Sequence, residues 1–230
     1  TLISSDGYSY NFSFVDPENV GTFWGRPYVY PIVGSITCSY FNFYYPQPNN
    51  TTAAIVGDSF IEGYTVYANN DEKYAALIQA KMAGDLAILG KGGETTTSVL
   101  TRVYKQIDAF RFAKYFIIAL GTNDTDFATY QTNINAMVAY VKSYGITPIL
   151  VTITPRNDSG DNYTFMNAVN TWVRGLGELY VDVNRAVTVP GDETTWKAGF
   201  RMADLVHPEL IAHEAIYRRF LFDVPFLFKA

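Results

Sequence analysis

Several residue types are scarce in this sequence, and each scarcity removes a class of function. The 230 residues include only two histidines, His207 and His213, and a single cysteine, Cys38. One cysteine can form neither an internal disulfide nor a thiolate metal cluster. Its setting, Ile36-Thr37-Cys38-Ser39-Tyr40, reads as a strand that packs a small thiol. Two histidines six positions apart share no helical face, so no metal site and no cofactor is expected. Lysines and arginines form no cluster and the net charge is −5, which leaves no basic footprint for a nucleic acid partner. No apolar run approaches the ~20 residues needed to cross a bilayer, so no membrane span is expected.

With 48% hydrophobic and 17% charged residues, the chain has globular composition and length enough for a full core. It begins at Thr1, which suggests a processed product or a piece of a larger polypeptide or assembly. Residues 1–50 are crowded with aromatics that alternate at period two, as in Tyr8-Ser9-Tyr10-Asn11-Phe12-Ser13-Phe14 and Tyr40-Phe41-Asn42-Phe43-Tyr44. They read as a small N-terminal β appendage, ended by Pro46-Gln47-Pro48-Asn49-Asn50. Residues 51–230 then form the main domain. Short apolar runs at 52–57, 85–90, 114–120, 147–153 and 178–183 alternate with helical stretches near 71–83, 96–108, 126–144 and 162–175. A last helix is expected over about 208–221, with Pro208 in its first turn. Strands alternating with helices imply an α/β fold with a parallel sheet covered on both faces.

Four stretches carry chemistry. Ala53-Ala54-Ile55-Val56-Gly57-Asp58-Ser59 is a strand running into a sharp turn, which puts the Ser59 hydroxyl at the carboxyl edge of the sheet, where such sheets bind ligands. Gly-Asp-Ser is also ordinary turn and cap chemistry, and Asp58 is read as a turn former. Gly90-Lys91-Gly92-Gly93-Glu94 has the flexibility for close approach and outward-facing N–H groups; the Walker order of a phosphate cradle is absent, so an oxyanion donor fits it better. Asn123, in Gly121-Thr122-Asn123-Asp124, offers a side-chain amide at the end of the third strand, or else Asn123 or Asp124 caps the helix beginning near 126. Asp204 precedes His207 by three residues in one loop, close enough to accept the Nδ1 proton and leave Nε2 as a base. His213, within the following helix, is assigned a structural role.

Together these stretches resemble the SGNH hydrolases, or GDSL esterases and lipases. Gly57-Asp58-Ser59-Phe60-Ile61-Glu62-Gly63 is similar to the first family block, Gly92-Gly93-Glu94-Thr95 to the second, Gly121-Thr122-Asn123-Asp124 to the third and Asp204-Leu205-Val206-His207-Pro208 to the fifth. The resemblance implies a flavodoxin-like three-layer α/β/α sandwich with a five-stranded parallel sheet. It also implies a catalytic triad of Ser59, His207 and Asp204, and an oxyanion hole formed by the Ser59 and Gly93 N–H groups and the Asn123 amide. Where the family often carries a glycine soon after His-Pro, this chain has Leu210-Ile211-Ala212-His213, so the packing of that helix is expected to differ.

The expected function is that of a serine esterase, removing O-acetyl groups from a carbohydrate. The polar stretch Arg156-Asn157-Asp158-Ser159-Gly160-Asp161-Asn162 and the aromatic appendage suggest a sugar surface, and with it an extracellular, cell-surface or virion-associated setting. A thioesterase or lysophospholipase acting on fatty acyl chains is the alternative among enzymes. A non-catalytic glycan-binding or structural module is the alternative of another class.

Overall fold

The computed structural model describes residues 2–3, 9–10, 51–63, 72–111, 113–156 and 163–228. The chain divides into two compact units, Thr1–Tyr44 and Tyr45–Ala230. In the first, β1 (Leu2–Ile3) pairs antiparallel with β2 (Ser9–Tyr10). The rest of the aromatic stretch at 1–50, Cys38 included, lies outside the described residues, as does 157–162 of the polar stretch.

The second unit runs β3 (Thr51–Gly57), α1 (Ser59–Glu62), α2 (Tyr74–Lys81), β4 (Asp85–Gly90), α3 (Thr96–Phe110), β5 (Tyr115–Ala119), α4 (Phe127–Ser143), β6 (Thr147–Val151), α5 (Tyr163–Gly175), β7 (Leu179–Val181), α6 (Val183–Val187), β8 (Thr188–Val189), β9 (Asp192–Trp196) and α7 (Leu210–Asp223). Five strands form one parallel sheet in the order β4-β3-β5-β6-β7, with Ile55 opposite both Ile88 and Ile117, and Ile117 opposite Ile149. This is the flavodoxin-like order, in which the chain steps outward from β3 to β4 and returns across it to β5. Ligands of such sheets bind where that reversal occurs, outside the carboxyl ends of β3 and β5.

The central strands β3, β5 and β6 read as unbroken apolar runs because both of their faces are buried. Alternate residues serve opposite layers, as a period of two requires. Ala53, Ile55, Ile117, Ile149 and Val151 pack with Tyr74 and Ile78 of α2 and Ile216 and Phe220 of α7. Ala54, Val56, Phe116, Ile118 and Leu150 pack with α3, α4 and α5 through Val99, Val103, Ile134, Met137, Val141, Met166, Val169 and Val173. Polar caps set where the helices begin: Thr95 and Ser98 form a reciprocal box at α3, and Asp126 accepts the Thr129 N–H at 2.8 Å to start α4.

Two features depart from the sequence expectation. The last helix begins at Leu210, so Pro208 stands outside it. The segment before it folds back on itself: Arg201 and Pro208 form an antiparallel bridge, the Met202 N–H donates to the His207 carbonyl at 2.9 Å, and the Glu209 N–H donates to the Phe200 carbonyl at 2.8 Å. That pairing holds Pro208 extended and leaves Glu209 as the helix cap. The β8–β9 hairpin is also new, and it is tied down by the Trp196 Nε1–H donating to the Pro155 carbonyl at 2.9 Å.

Candidate active site

The first of the site's elements is the turn from β3 into α1. Gly57 and Gly90 lie side by side at the ends of β3 and β4. A Cβ on Gly57 would stand 2.1 Å from Ile61 Cγ1, and one on Gly90 only 2.2 Å from the Glu62 nitrogen. Both glycines are therefore required for α1 to rest on the strand ends. Asp58 caps that helix, its Oδ1 accepting the Phe60 N–H at 3.0 Å, and Ser59 is the first helical residue. Asp58 is 1% exposed, and burial pushes its carboxyl up to about 6; the Phe60 N–H, Thr122 and His207 pull the other way, and Asp124 adds to the rise.

Across from this turn, the loop 200–209 delivers the imidazole. His207 Nε2 lies 2.8 Å from Ser59 Oγ, and His207 Nδ1 lies 2.6 Å from Asp204 Oδ2. With the Nδ1 proton donated to the carboxylate, Nε2 is the acceptor facing the serine hydroxyl. Asp204 Oδ1 accepts the Val206 and His207 N–H groups, each at 3.0 Å. Burial tends to raise the Asp204 carboxyl, but those two N–H groups and the His207 ring together hold it below the ordinary range. The tight loop is made possible by Leu205, the one non-glycine with a left-handed backbone among the described residues (φ 68°). The Phe60 ring flanks the imidazole at 5.4 Å.

The Lys91–Glu94 turn lies against α1. The Lys91 N–H donates to the Gly57 carbonyl at 3.1 Å and the Gly92 N–H to Glu62 Oε2 at 2.6 Å, and the space beside Gly92 is bounded by the Ser59 Cβ. Gly93 follows with φ +75°, and among the described residues no atom apart from those of its chain neighbours stands within 4 Å of where its Cβ would be. Glu94 is buried and paired with Arg102, whose guanidinium also donates to the Leu89 carbonyl at 2.9 Å. The Glu94 carbonyl in turn accepts Asn123 Nδ2 at 3.0 Å, which orients that amide at the end of β5.

The five residues expected at the site thus fall into one arrangement. Ser59, His207 and Asp204 are in direct contact, and the Gly92–Glu94 turn links Ser59 to Asn123. Asp124 caps a helix, though not α4: its carboxylate accepts the Thr96 N–H at 3.1 Å and the Thr96 hydroxyl at 2.5 Å at the start of α3, while Asp126 caps α4. Two contributors escaped the sequence reading. Glu62 anchors Gly92, and Asp58 is wholly buried; neither fact has a local signature, since both follow from how closely α1 approaches β4. His213 lies fully buried in α7, accepting the Tyr74 N–H on Nδ1 at 3.3 Å, with the two rings stacked at 5.8 Å. Burial, with the nearby charges of His207 and Lys73, pushes its pKa down to about 4. Among the described residues no three His, Cys, Asp or Glu side chains are grouped to hold a metal ion, and no helix is long and apolar enough to cross a membrane.

Comparison with known proteins agrees with this picture. A family model, GDSL-like lipase/acylhydrolase, matches residues 55–215. Among solved structures, the chain is similar to a G-D-S-L family protein from Desulfitobacterium hafniense DCB-2 (20% identity, TM-score 0.63, covering 74% of this chain and 97% of that one). It is similar to TesA (22% identity, TM-score 0.63, covering 77% and 100%). It is also similar to a catalytic mutant of Axe2, an acetylxylan esterase from Geobacillus stearothermophilus (17% identity, TM-score 0.61, covering 77% and 96%). At these identities the likeness is one of fold. No curated protein matches the sequence.

Proposed function

Because this chain belongs to the GDSL-like lipase/acylhydrolase family, we propose that it is a serine esterase acting on small carboxylic esters, with Ser59 as nucleophile, His207 as general base and Asp204 as its orienting acid. The observation that carries the reading is the pair of contacts on one imidazole, 2.8 Å to Ser59 Oγ and 2.6 Å to Asp204 Oδ2. His207 Nε2 takes the Ser59 proton as Oγ attacks the ester carbonyl, and Asp204 stabilises the imidazolium that results. The oxyanion is received by the Ser59 and Gly93 N–H groups and the Asn123 amide. Collapse expels the alcohol, protonated by His207, and leaves an acyl group on Ser59. Water, deprotonated by the same imidazole, then releases the acid and restores the serine.

The acyl group we assign is acetyl, carried on a carbohydrate hydroxyl. Support comes from the polar and aromatic stretches of the sequence and from the likeness to Axe2, which is an acetylxylan esterase. The test is hydrolysis of 4-nitrophenyl acetate by the wild type and by Ser59→Ala, followed by octanoate and by acetylated xylan. Equal rates for the two proteins would refute the serine mechanism, and a strong preference for octanoate would replace the acetyl assignment with a fatty acyl one. An inert wild type would leave a non-catalytic module as the better reading.

A further inference from the structure

Among the described residues, two buried polar atoms without a hydrogen-bond partner belong to residues that line the same space. Asp58 Oδ2 and Thr154 Oγ1 are both buried and both unsatisfied, on residues 1% and 5% exposed. Both residues line one cavity of about 20 Å³, behind the turn that carries Ser59. Its remaining walls are largely apolar, among them Phe60, Leu120, Ile153 and Ile216. A buried polar atom without a partner costs free energy, and a cavity of roughly 10–15 Å³ or more with polar groups on its wall suffices for one water. The space is too small for a side chain or a substrate group, but it matches a single water in size and chemistry.

We infer that Asp58 and Thr154 together bind one ordered water molecule behind the nucleophile turn, and that Asp58, held by it, is a positioning residue for Ser59. The water donates one hydrogen to Asp58 Oδ2 and either donates to or accepts from the Thr154 hydroxyl. Asp58 Oδ1 meanwhile keeps the Phe60 N–H at 3.0 Å, so both carboxylate oxygens are engaged and the carboxylate cannot rotate. The cap on α1 is thereby fixed from the end of β6, and with it the direction of the Ser59 hydroxyl toward His207. The groups facing Asp58 are Tyr74 of α2, Thr122 and Asp124 after β5, and His207 of the loop 200–209; of these the Thr122 hydroxyl, through a hydrogen bond, and then His207 favour its charged form, and Asp124 opposes it. An ionised Asp58 in turn favours the imidazolium that His207 becomes during attack. The positioning role rests on the esterase reading; the water site does not.

The test begins with a crystal structure of the full chain at a resolution that orders internal solvent. One water within hydrogen-bond distance of both Asp58 Oδ2 and Thr154 Oγ1 is expected, and a dry cavity would overturn the proposal. Thr154→Val, which keeps the shape and loses the hydroxyl, is then compared with Thr154→Ser across pH on 4-nitrophenyl acetate. Loss of alignment lowers kcat about tenfold, with KM little changed, and moves the acidic limb of the profile upward; Thr154→Ser restores both. Asp58→Asn removes the component of that limb near pH 6. Superimposable profiles for Thr154→Val and wild type would end the positioning role. A wild type inactive on every ester would end the esterase reading and that role together, leaving the water to be decided by the crystal structure alone.

Discussion

The chain's two histidines stand six residues apart and do opposite things. His207 sits on a folded-back loop, one nitrogen on a carboxylate and the other on a serine hydroxyl, and is partly open to solvent. His213 sits one turn into α7, wholly buried, with its ring over Tyr74 and its pKa pushed down to about 4. The same imidazole bridges a hydroxyl and a carboxylate in one place and is held neutral as packing in the other. The difference comes from the segments that carry them: a loop that pairs with itself presents its side chain outward, whereas a helix pressed on the sheet turns one inward.

The sharpest way to break this contrast is to remove each ring separately. His207→Gln is expected to lower kcat by about three to six orders of magnitude, with the melting temperature nearly unchanged. His213→Gln is expected to do the reverse, costing roughly 1–3 kcal/mol of stability and leaving kcat per folded molecule within about twofold. Loss of activity from a stably folded His213→Gln would undo the comparison. Next in size, Asn123→Ala should reduce kcat by about 10²–10³-fold with little change in stability, because its amide is needed when the oxyanion forms.

A subtler outcome concerns pH. The folded-state pKa of His213 lies below its ordinary value, so its contribution to stability is complete above about 6.5 and is lost as pH falls toward 4; that of Asp58 is raised from 3.8 to about 6, so its contribution is complete below about 4 and is lost as pH rises through 6. Each amounts to roughly 3 kcal/mol with opposite slope, so between pH 4 and 6.5 the two largely cancel. Urea denaturation across that range should therefore find the wild type nearly level. His213→Gln should become less stable as pH rises, and Asp58→Asn more stable. Parallel slopes in the two variants would show that these groups do not control the window. The smallest effect is expected from Glu62→Gln, which weakens the hold on the Gly92 N–H: about a two- to fivefold fall in kcat, measured on 4-nitrophenyl acetate.

The sheet was legible in the sequence because its central strands β3, β5 and β6 are buried on both faces, and the partly exposed edge strands β4 and β7 keep the same texture of a short apolar run ended by turn residues. The candidate site residues were legible because Ser59, Asn123 and the Asp204–His207 loop all follow such runs or sit in one compact stretch. The hairpin at Thr188–Trp196 was not, since Asp192-Glu193-Thr194-Thr195 carries no apolar alternation and its anchor, the Pro155 carbonyl, is distant in the chain. Pro208 misled for a related reason: a proline that suits the first turn of a helix suits an extended bridge equally well, and only the pairing with Arg201 decides between them. The role of Asp124 was half legible, as a cap whose helix proved to be the neighbouring one. The burial of Asp58 could not be read at all, because it depends on two glycines from different strands meeting beneath a four-residue helix.

Those two glycines, Gly57 and Gly90, limit what can be changed here. A single methyl group on either would act as a shim under α1, tilting the serine away from its base by a fraction of the distance that separates them now. The floor beneath Ser59 is therefore fixed: it tolerates no added atom, however conservative the exchange looks on paper.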